Sequence, residues 1–433
     1  MSNEAETMKK SKRTLTPKLR FPEFREQWDE VQLSQLANSI SDRVGTMSCI
    51  PYTVTSGLGL VSQEEKLGRT IAGNSLRNYI RLQKDDFAYN KSATKAYPEG
   101  YIARYLDEAK AAVPNSIFTC FRVDSEKVEP AYLDFLFAGN LHGRWLRKFL
   151  SIGARAHGSL NVSDDDLMAL PVPLPSPPEQ QKIAECLSSL DGLIVAEGRK
   201  LAALRDHKRG LMQQLFPQTG QTRPRLRFPE FRTRIDWLEG QCSDIAHVWQ
   251  GYGFPDRYQG QCTGKYPFYK VSDISAAVEH GGQLIEEAQN YIDETVLKKL
   301  KAKPVPAGTI VFAKIGEGIR KDRRALTTRP AVIDNNVAGV KAITGKVTDD
   351  YLFYLWTTIS LIDFAGGVVP AVSKTAIESI PVSYPEEKDE QVKIASCLAA
   401  LDTRITAQTA RIETLKQHKR GLMQHLFPAP EEQ

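Results

Sequence analysis

Cysteine is sparse in this chain and stands in no paired spacing. Cys49, Cys120, Cys186, Cys242, Cys262 and Cys397 include no Cys-x-x-Cys, the spacing from which structural zinc sites are built. They read as reduced thiols of a cytosolic protein, with Cys186 and Cys397 at equivalent positions on two helices. The seven histidines fall into no Ser/His/Asp or metal-ligand spacing. No Gly-x-x-x-x-Gly-Lys-Ser/Thr phosphate loop occurs, and Gly345-Lys346 is followed by Val347, which has no hydroxyl for magnesium. The Asn/Asp-Pro-Pro-aromatic string of an amino-methyltransferase is missing. Glu386-Glu387-Lys388 lacks the upstream Pro-Asp of a nuclease motif. No apolar run approaches the roughly 18 residues of a membrane span. Met1 to Arg13 is polar, without the apolar segment of a secretory signal, and is expected to be a disordered tail with the residues up to 16. A net charge of +5 is too mild to select a nucleic-acid partner by itself. The absences argue against catalysis in this chain, a metal site and a membrane location.

What the chain has is repetition. Its 433 residues suit two to four domains, and long blocks occur twice. Asp206-His207-Lys208-Arg209-Gly210-Leu211-Met212 continues to Leu215-Phe216-Pro217, and returns as Gln417-His418-Lys419-Arg420-Gly421-Leu422-Met423 continuing to Leu426-Phe427-Pro428. Glu179-Gln180-x-Lys182-Ile183-Ala184 returns as Glu390-Gln391-x-Lys393-Ile394-Ala395, and Leu19-Arg20-Phe21-Pro22-Glu23-Phe24 as Leu226-Arg227-Phe228-Pro229-Glu230-Phe231. The offset is 226 − 19 = 207 at the first block and 417 − 206 = 211 at the last, but 351 − 132 = 219 between Tyr132-Leu133 and Tyr351-Leu352. Length is gained and lost inside the inserts while the frame returns to near register. A duplicated frame with two different inserts presents two unlike surfaces, as a reader of two unlike things would.

Each insert ends alike, at Leu170-Pro171-Val172 and Ile380-Pro381-Val382. Proline strips follow and are expected to act as stiff extended connectors. Helices are expected from near Glu179 and Glu390, with acidic residues in the first turn as the dipole prefers. Seam positions then alternate four and three apart, from Ile183 to Leu215 and from Ile394 to Leu426, apolar except for polar breaks at Glu197 and Lys208 in the first and Gln408 and Lys419 in the second. That is a heptad seam. Each helix would run roughly 55 Å, and the economical way to cover two such stripes is to pair them. The inserts read as mixed α/β, with strands such as Pro51–Thr55 and Thr309–Phe312 bounded by Gly and Pro. An amphipathic helix closes each insert, over 130–149 and 349–364. The expected architecture is α+β: two mixed α/β recognition domains separated by two long helices paired as an antiparallel coiled coil, with a pseudo-twofold internal repeat. Its parts are a tail at 1–16, a first domain at 17–170, a connector and helix at 171–217, a linker at 218–225, a second domain at 226–380, and a connector and helix at 381–433.

This frame closely resembles the DNA-specificity subunit of type I restriction–modification systems. The residues that carry the resemblance are Leu170-Pro171-Val172-Pro173-Leu174-Pro175, Glu179-Gln180-x-x-Ile183-Ala184, Leu187-x-x-Leu190-Asp191, Lys208-Arg209-Gly210-Leu211-Met212 and Leu215-Phe216-Pro217, recurring in the second half. Tyr266-Pro267-Phe268-x-Lys270-Val271-Ser272-Asp273-Ile274 looks like the opening loop of such a recognition domain. The likeness covers nearly the whole chain beyond residue 16, and the first insert matches more loosely than the second. It implies a non-catalytic, cytoplasmic subunit that binds double-stranded DNA at an asymmetric bipartite target. It also implies docking of two modification subunits, which methylate adenine with S-adenosylmethionine. Restriction subunits, using ATP and Mg, can join them. The competing function is a coiled-coil scaffold whose two globular domains bind proteins. A fused methyltransferase–nuclease partner is a further variant of the first reading. Helices of roughly 55 Å would hold the half-sites no further apart than about 16 base pairs.

Candidate DNA-contacting residues follow from charge on turns. Lys314, Arg320, Lys321, Arg323, Arg324 and Arg329 stand against Glu317 and Asp322, and Gly316 and Gly318 suggest a loop. Such cations reach phosphates, and Arg reads guanine edges. In the first insert, Tyr89 to Tyr97 mixes Lys91 and Lys95 with amides, hydroxyls and aromatics. Arg155 and His157 flank the end of the first insert, as Lys374 does the second. For the helix pair, facing positions are expected to sum to 616. Leu190 then meets Leu426, and Glu197 faces Lys419 while Lys208 faces Gln408. These polar groups would fix the register.

Overall fold

Two units make up the protein, one of Met1–Val195 with Thr414–Gln433 and one of Ala196–Glu413. This is a computed structural model, and it describes residues 15–55, 59–150, 160–218, 221–279 and 282–428. Of the expected tail, residues 1–14 lie outside that description. Leu15 does not belong to a tail, because it bridges to Trp28.

In the first unit, strand periodicity builds two cores from one sheet. The strands Ala37–Ser39, Phe118–Val123, Phe87–Asn90 and Tyr101–Arg104 lie in that order, all antiparallel. Alternate side chains leave a strand on opposite faces. Phe87, Tyr89, Ile102 and Phe121 accordingly join Tyr132, Leu133 and Leu136 in one core, while Ala88, Ala103 and Cys120 face another. That second core is closed by a mixed sheet in the order Gly59–Ser62, Ile50–Thr55, Ala111–Val113, Ile80–Leu82. The expected 130–149 helix is two pieces, Pro130–Ala138 and Leu141–Leu146, because Asn140 takes left-handed φ +61° between them.

The second unit uses the same plan with other strands. Ala246–Gln250, Val337–Ala342, Ile310–Ala313, Arg324–Thr327 and Leu284–Ile285 form a five-stranded sheet. Tyr291–Ile292, Tyr266–Tyr269 and Val332–Ile333 form a three-stranded one. Ile310 and Phe312 face a core with Tyr351, Leu352 and Trp356, while Val311 faces Tyr269 and Ile333. The closing helix runs Asp349–Thr358, capped by Thr348, and only a short 3-10 turn, Leu361–Phe364, follows it.

The proline strips are not free connectors. Pro171–Leu174 pairs antiparallel with Asp29–Gln32, and Pro381–Tyr384 with Leu238–Gln241. A two-stranded sheet leaves each strand an unpaired edge, which is where proline, lacking a donor, is tolerated. The strands therefore clip the end of each insert to its beginning. The long helices start two residues earlier than expected, at Pro177 and Lys388, and end at Leu215 and Leu426. Pro177 suits a first helical position, where its missing N–H would have no partner anyway.

Candidate nucleic-acid interface and the helix frame

The repeated blocks meet at one device in each unit. Arg20 donates from Nε and Nη2 to the two carboxylate oxygens of Glu179, both at 2.7 Å, and Trp28 Nε1 adds a third bond at 3.1 Å. In the second unit, Arg227 grips Glu390 with two bonds of 2.8 Å, and Trp237 Nε1 adds one at 3.2 Å. Bidentate geometry is what makes an arginine–carboxylate pair strong, and burial without it would be costly. The neighbouring glutamines are matched too. Gln180 Nε2 donates to Pro175 O and Gln391 Nε2 to Pro385 O, each at 2.8 Å. Their Oε1 atoms accept from the backbone N–H of Glu129 and Thr348, each at 2.9 Å. The helix-dipole reading of Glu179 and Glu390 missed this clamp. The signal was available, because the Arg and the Glu each sit in a repeated block.

The covered face of both helices is the expected heptad face. Ile394, Leu398, Leu401, Ile405 and Ile412 are buried, as are Ile183, Leu187 and Leu215. The segments run antiparallel within each unit, but the register is not the one expected. Glu197 accepts from Gln408 Nε2 at 2.6 Å and pairs with Arg411 at 2.8 Å. Lys419 binds both oxygens of Asp191 at 2.6 Å, and Lys208 binds Asp402 at 2.5 Å. Glu197 does not pair with Lys419, nor Lys208 with Gln408. Paired positions sum to 197 + 408 = 605 or 191 + 419 = 610, not 616. The reason is twofold. At this register Leu215 shares a core with Ile394 and Leu398 in one unit, and Leu426 with Ile183 and Leu187 in the other, so the helix ends are covered. A lysine stem is also long enough to lie in the seam while its ammonium reaches an acid at the seam's margin. Glu197 and Gln408 differ by 408 − 197 = 211, the offset of the repeat. A residue there meets its own counterpart. The Gln408 bond, then Arg411, hold the Glu197 carboxyl below its ordinary range against an opposing effect of burial.

The candidate DNA-contacting residues separate into accessible and inaccessible ones. In the second domain, Lys314 leaves the strand Ile310–Ala313 half-buried, and burial lowers its ammonium pKa against the opposing charge of Asp334. The expected loop is partly structured: Glu317–Arg320 forms one helical turn anchored by buried Ile319, and a strand starts at Arg324. Arg320 is exposed, within 3.3 Å of Glu317. Lys321 is exposed and Arg323 half-buried, and neither has an ion pair among the described residues. Arg324 is the clear correction. It is only 7% exposed, pairs with Asp322 at 2.8 Å and donates to Ile359 O. Its guanidinium ties the sheet to the end of the 349–358 helix and is unavailable to DNA. Arg329 lies over the Tyr291 ring and donates to Glu286 O at 3.0 Å. Lys374 is exposed, opens the Lys374–Glu378 helix and stands 3.4 Å from Glu378.

In the first domain, Lys91 is half-buried and pairs with Asp164 at 3.2 Å. Lys95 is exposed on the turn closed by Tyr97 N–H and Thr94 Oγ1 at 3.1 Å. Tyr97 packs edge-on against Tyr101, 4.7 Å between ring centres. Tyr89 is core, its hydroxyl donating to Glu99 O at 2.8 Å. Arg155 and His157 lie outside the described residues. No described group of His, Cys, Asp or Glu could hold a metal ion, and no described helix is long and apolar enough to cross a membrane.

Clamped antiparallel helices carrying two unlike α/β domains with cations on exposed turns define a DNA-recognition frame. Residues 71–205 and 234–417 match the type I restriction modification DNA specificity domain, and the chain belongs to that family as a specificity subunit. It is similar to two specificity subunits of Methanocaldococcus jannaschii. It is 25% identical to the provisionally named MjaX subunit over 76% of this chain and 74% of that one. It is 24% identical to the MjaIX subunit over 77% and 75%. Its fold is similar to the S subunit crystal structure from M. genitalium, with 14% identity, a TM-score of 0.55, and coverage of 96% of this chain and 100% of that one. A chain from a structure of complex assembly and conformational transition in the type I R-M system gives 16% identity and a TM-score of 0.56, over 93% and 98%.

Proposed function

We propose that each recognition domain reads one half of an asymmetric bipartite target in duplex DNA, and that the long helices dock two modification subunits. The observation that carries this is the duplication itself: the same clamp and clipped strand, twice, around domains with different sheets. In this reading the chain is not itself an enzyme. The modification subunits methylate adenine and hold S-adenosylmethionine. Restriction subunits that join them use ATP and Mg, and the assembly works in the cytoplasm. Lys95, Lys314, Arg320, Lys321, Arg323 and Lys374 supply phosphate or base contacts. Lys91 serves only by exchanging Asp164 for DNA.

Methylation mapping of DNA exposed to the chain with its modification subunits tests the proposal. Adenine methylation in two different half-sites separated by a fixed spacer is expected. A continuous or palindromic site would overturn it. Duplex affinity should also fall steeply with salt as phosphate contacts release counterions. Salt-insensitive or absent DNA binding would favour the protein-binding scaffold instead.

A further inference from the structure

Val368 is fully exposed and Val369 62% exposed. Isolated exposed valines are ordinary. These differ in how their backbone is held. Gly366 and Ala371 exchange both backbone hydrogen bonds at 3.1 Å, closing a tight turn, and Gly367 supplies its left-handed φ of +90°. The turn is then stitched to the basic segment. Gly316 N–H donates to Pro370 O at 2.7 Å, and Val372 N–H to Lys314 O at 2.9 Å. Buried Val372 roots it. The result is a preorganised turn, Gly-Gly-Val-Val-Pro-Ala, with no polar side chain from Gly366 to Ala371.

Such a tip has no side chain to hold a phosphate, yet it is bordered by side chains that can. On the segments joined to it, Lys314, Arg320, Lys321, Arg323 and Lys374 stand against Glu317, Asp334, Asp363 and Glu378, with Asp322 already paired with Arg324; Lys321 and Arg323 have no ion pair among the described residues. A cationic border around an apolar tip complements a polyanion with an apolar feature set between its phosphates. In duplex DNA that feature is the C5 methyl of thymine, exposed in the major groove. We propose that the Gly366–Ala371 turn is a base-reading element of the second recognition domain, in which Val368 and Val369 contact a thymine methyl while the neighbouring cations hold the backbone. The inference rests on the DNA-specificity reading and deepens it.

Selection from two random duplex pools tests it, one made with thymine and one with deoxyuridine in its place, using the full chain with its modification subunits. From the thymine pool, the wild type is expected to prefer thymine at one or two positions of one half-site. That preference should be weaker in the deoxyuridine pool by about fourfold, the ratio for burying one methyl group. The Val368→Ser/Val369→Ser variant should show no difference between pools while selecting the other half-site unchanged, which also reports that it is folded. Identical selection from both pools by the wild type, or a pool difference that survives in the variant, would overturn the proposal. So would a variant that keeps every base preference but no longer retains the modification subunits, since the turn would then serve a protein partner. Enrichment from neither pool would remove the DNA-specificity reading itself.

Discussion

In the first unit, the clamp arginine Arg20 is 17% exposed and its Nη2 also donates to Glu26 O. In the second, Arg227 is 7% exposed, and beyond Glu390 it also donates to Arg234 O and Ile235 O at 3.1 and 3.0 Å. The two carboxylates are equally buried, at 1% each. The same residues therefore close the same joint to different depths. The recognition domains differ far more, in how their strands are divided and paired: two four-stranded sheets in the first, a five-stranded and a three-stranded sheet in the second. The comparison teaches that the joint between insert and helix constrains sequence more tightly than the insert does. An insert needs only a clipped strand and a covered core, whereas a buried carboxylate needs its particular partner.

The largest effect should come from stranding that carboxylate. Arg227→Ala is expected to cost about 3–5 kcal/mol, the range for removing one member of a buried pair. Arg20→Ala should cost less, because water reaches its site. Equal losses in denaturant unfolding would show that the difference in depth has no energetic meaning.

The helix pair gives the next test. Gln408→Glu would set two carboxylates against each other where the repeat meets itself. A drop in melting temperature of roughly 2–4 °C near neutral pH is expected. The facing acids raise each other's folded-state pKa above the unfolded value. The folded variant then binds more protons, so the penalty is full above the raised pKa and disappears below about pH 4.3. The wild type behaves oppositely. Its Glu197 carboxyl is held low by Gln408, so that contribution is lost as pH falls through the folded value. Stability curves that stay parallel between pH 4 and 7 would contradict the observed register.

Two smaller tests sharpen the comparison between equivalent aromatic positions. Tyr132 donates to Pro173 O at 2.7 Å, while the buried Tyr351 hydroxyl has no partner among the described residues. Tyr132→Phe should cost about 1 kcal/mol and Tyr351→Phe nothing or less than nothing. Similar losses in both would contradict the assignment. Further along the same helices, Asp402 accepts from Tyr354 at 2.8 Å as well as from Lys208. Its counterpart Asp191 has Lys419, which lies 4.9 Å above the ring of Phe135. Phe135→Tyr transplants the missing hydroxyl and should stabilise by roughly 0.5–1 kcal/mol. A destabilised variant would show that the two helix joints are not interchangeable.

Periodicity and repetition carried most of the architecture. The heptad positions of both helices are the covered ones because a 3.5-residue repeat leaves a helix one face to bury. The repeated blocks marked the joint because each joins residues more than 150 positions apart, Arg20 to Glu179 and Arg227 to Glu390. The register could not be read the same way. Matching polar residues across the seam assumed that partners face each other, but Lys208 and Lys419 reach marginal aspartates on flexible stems. Glu197 is satisfied by an amide and an arginine outside the seam.

The candidate contact surface was legible as composition but not as exposure. Arg323 and Arg324 are adjacent in sequence, yet only the second enters the sheet, because alternate residues of a strand leave on opposite faces and the strand begins there. Tyr89 follows the same rule: it opens the 89–97 stretch yet faces one core, while its neighbour Ala88 faces the other. The sequence by itself determined that two unlike domains hang on one duplicated helical frame, since repetition and heptad spacing are local and additive. Tertiary structure decided which cations remain outside, how deep each clamp lies and where the helices register, since each depends on which distant side chain arrives to satisfy a buried charge.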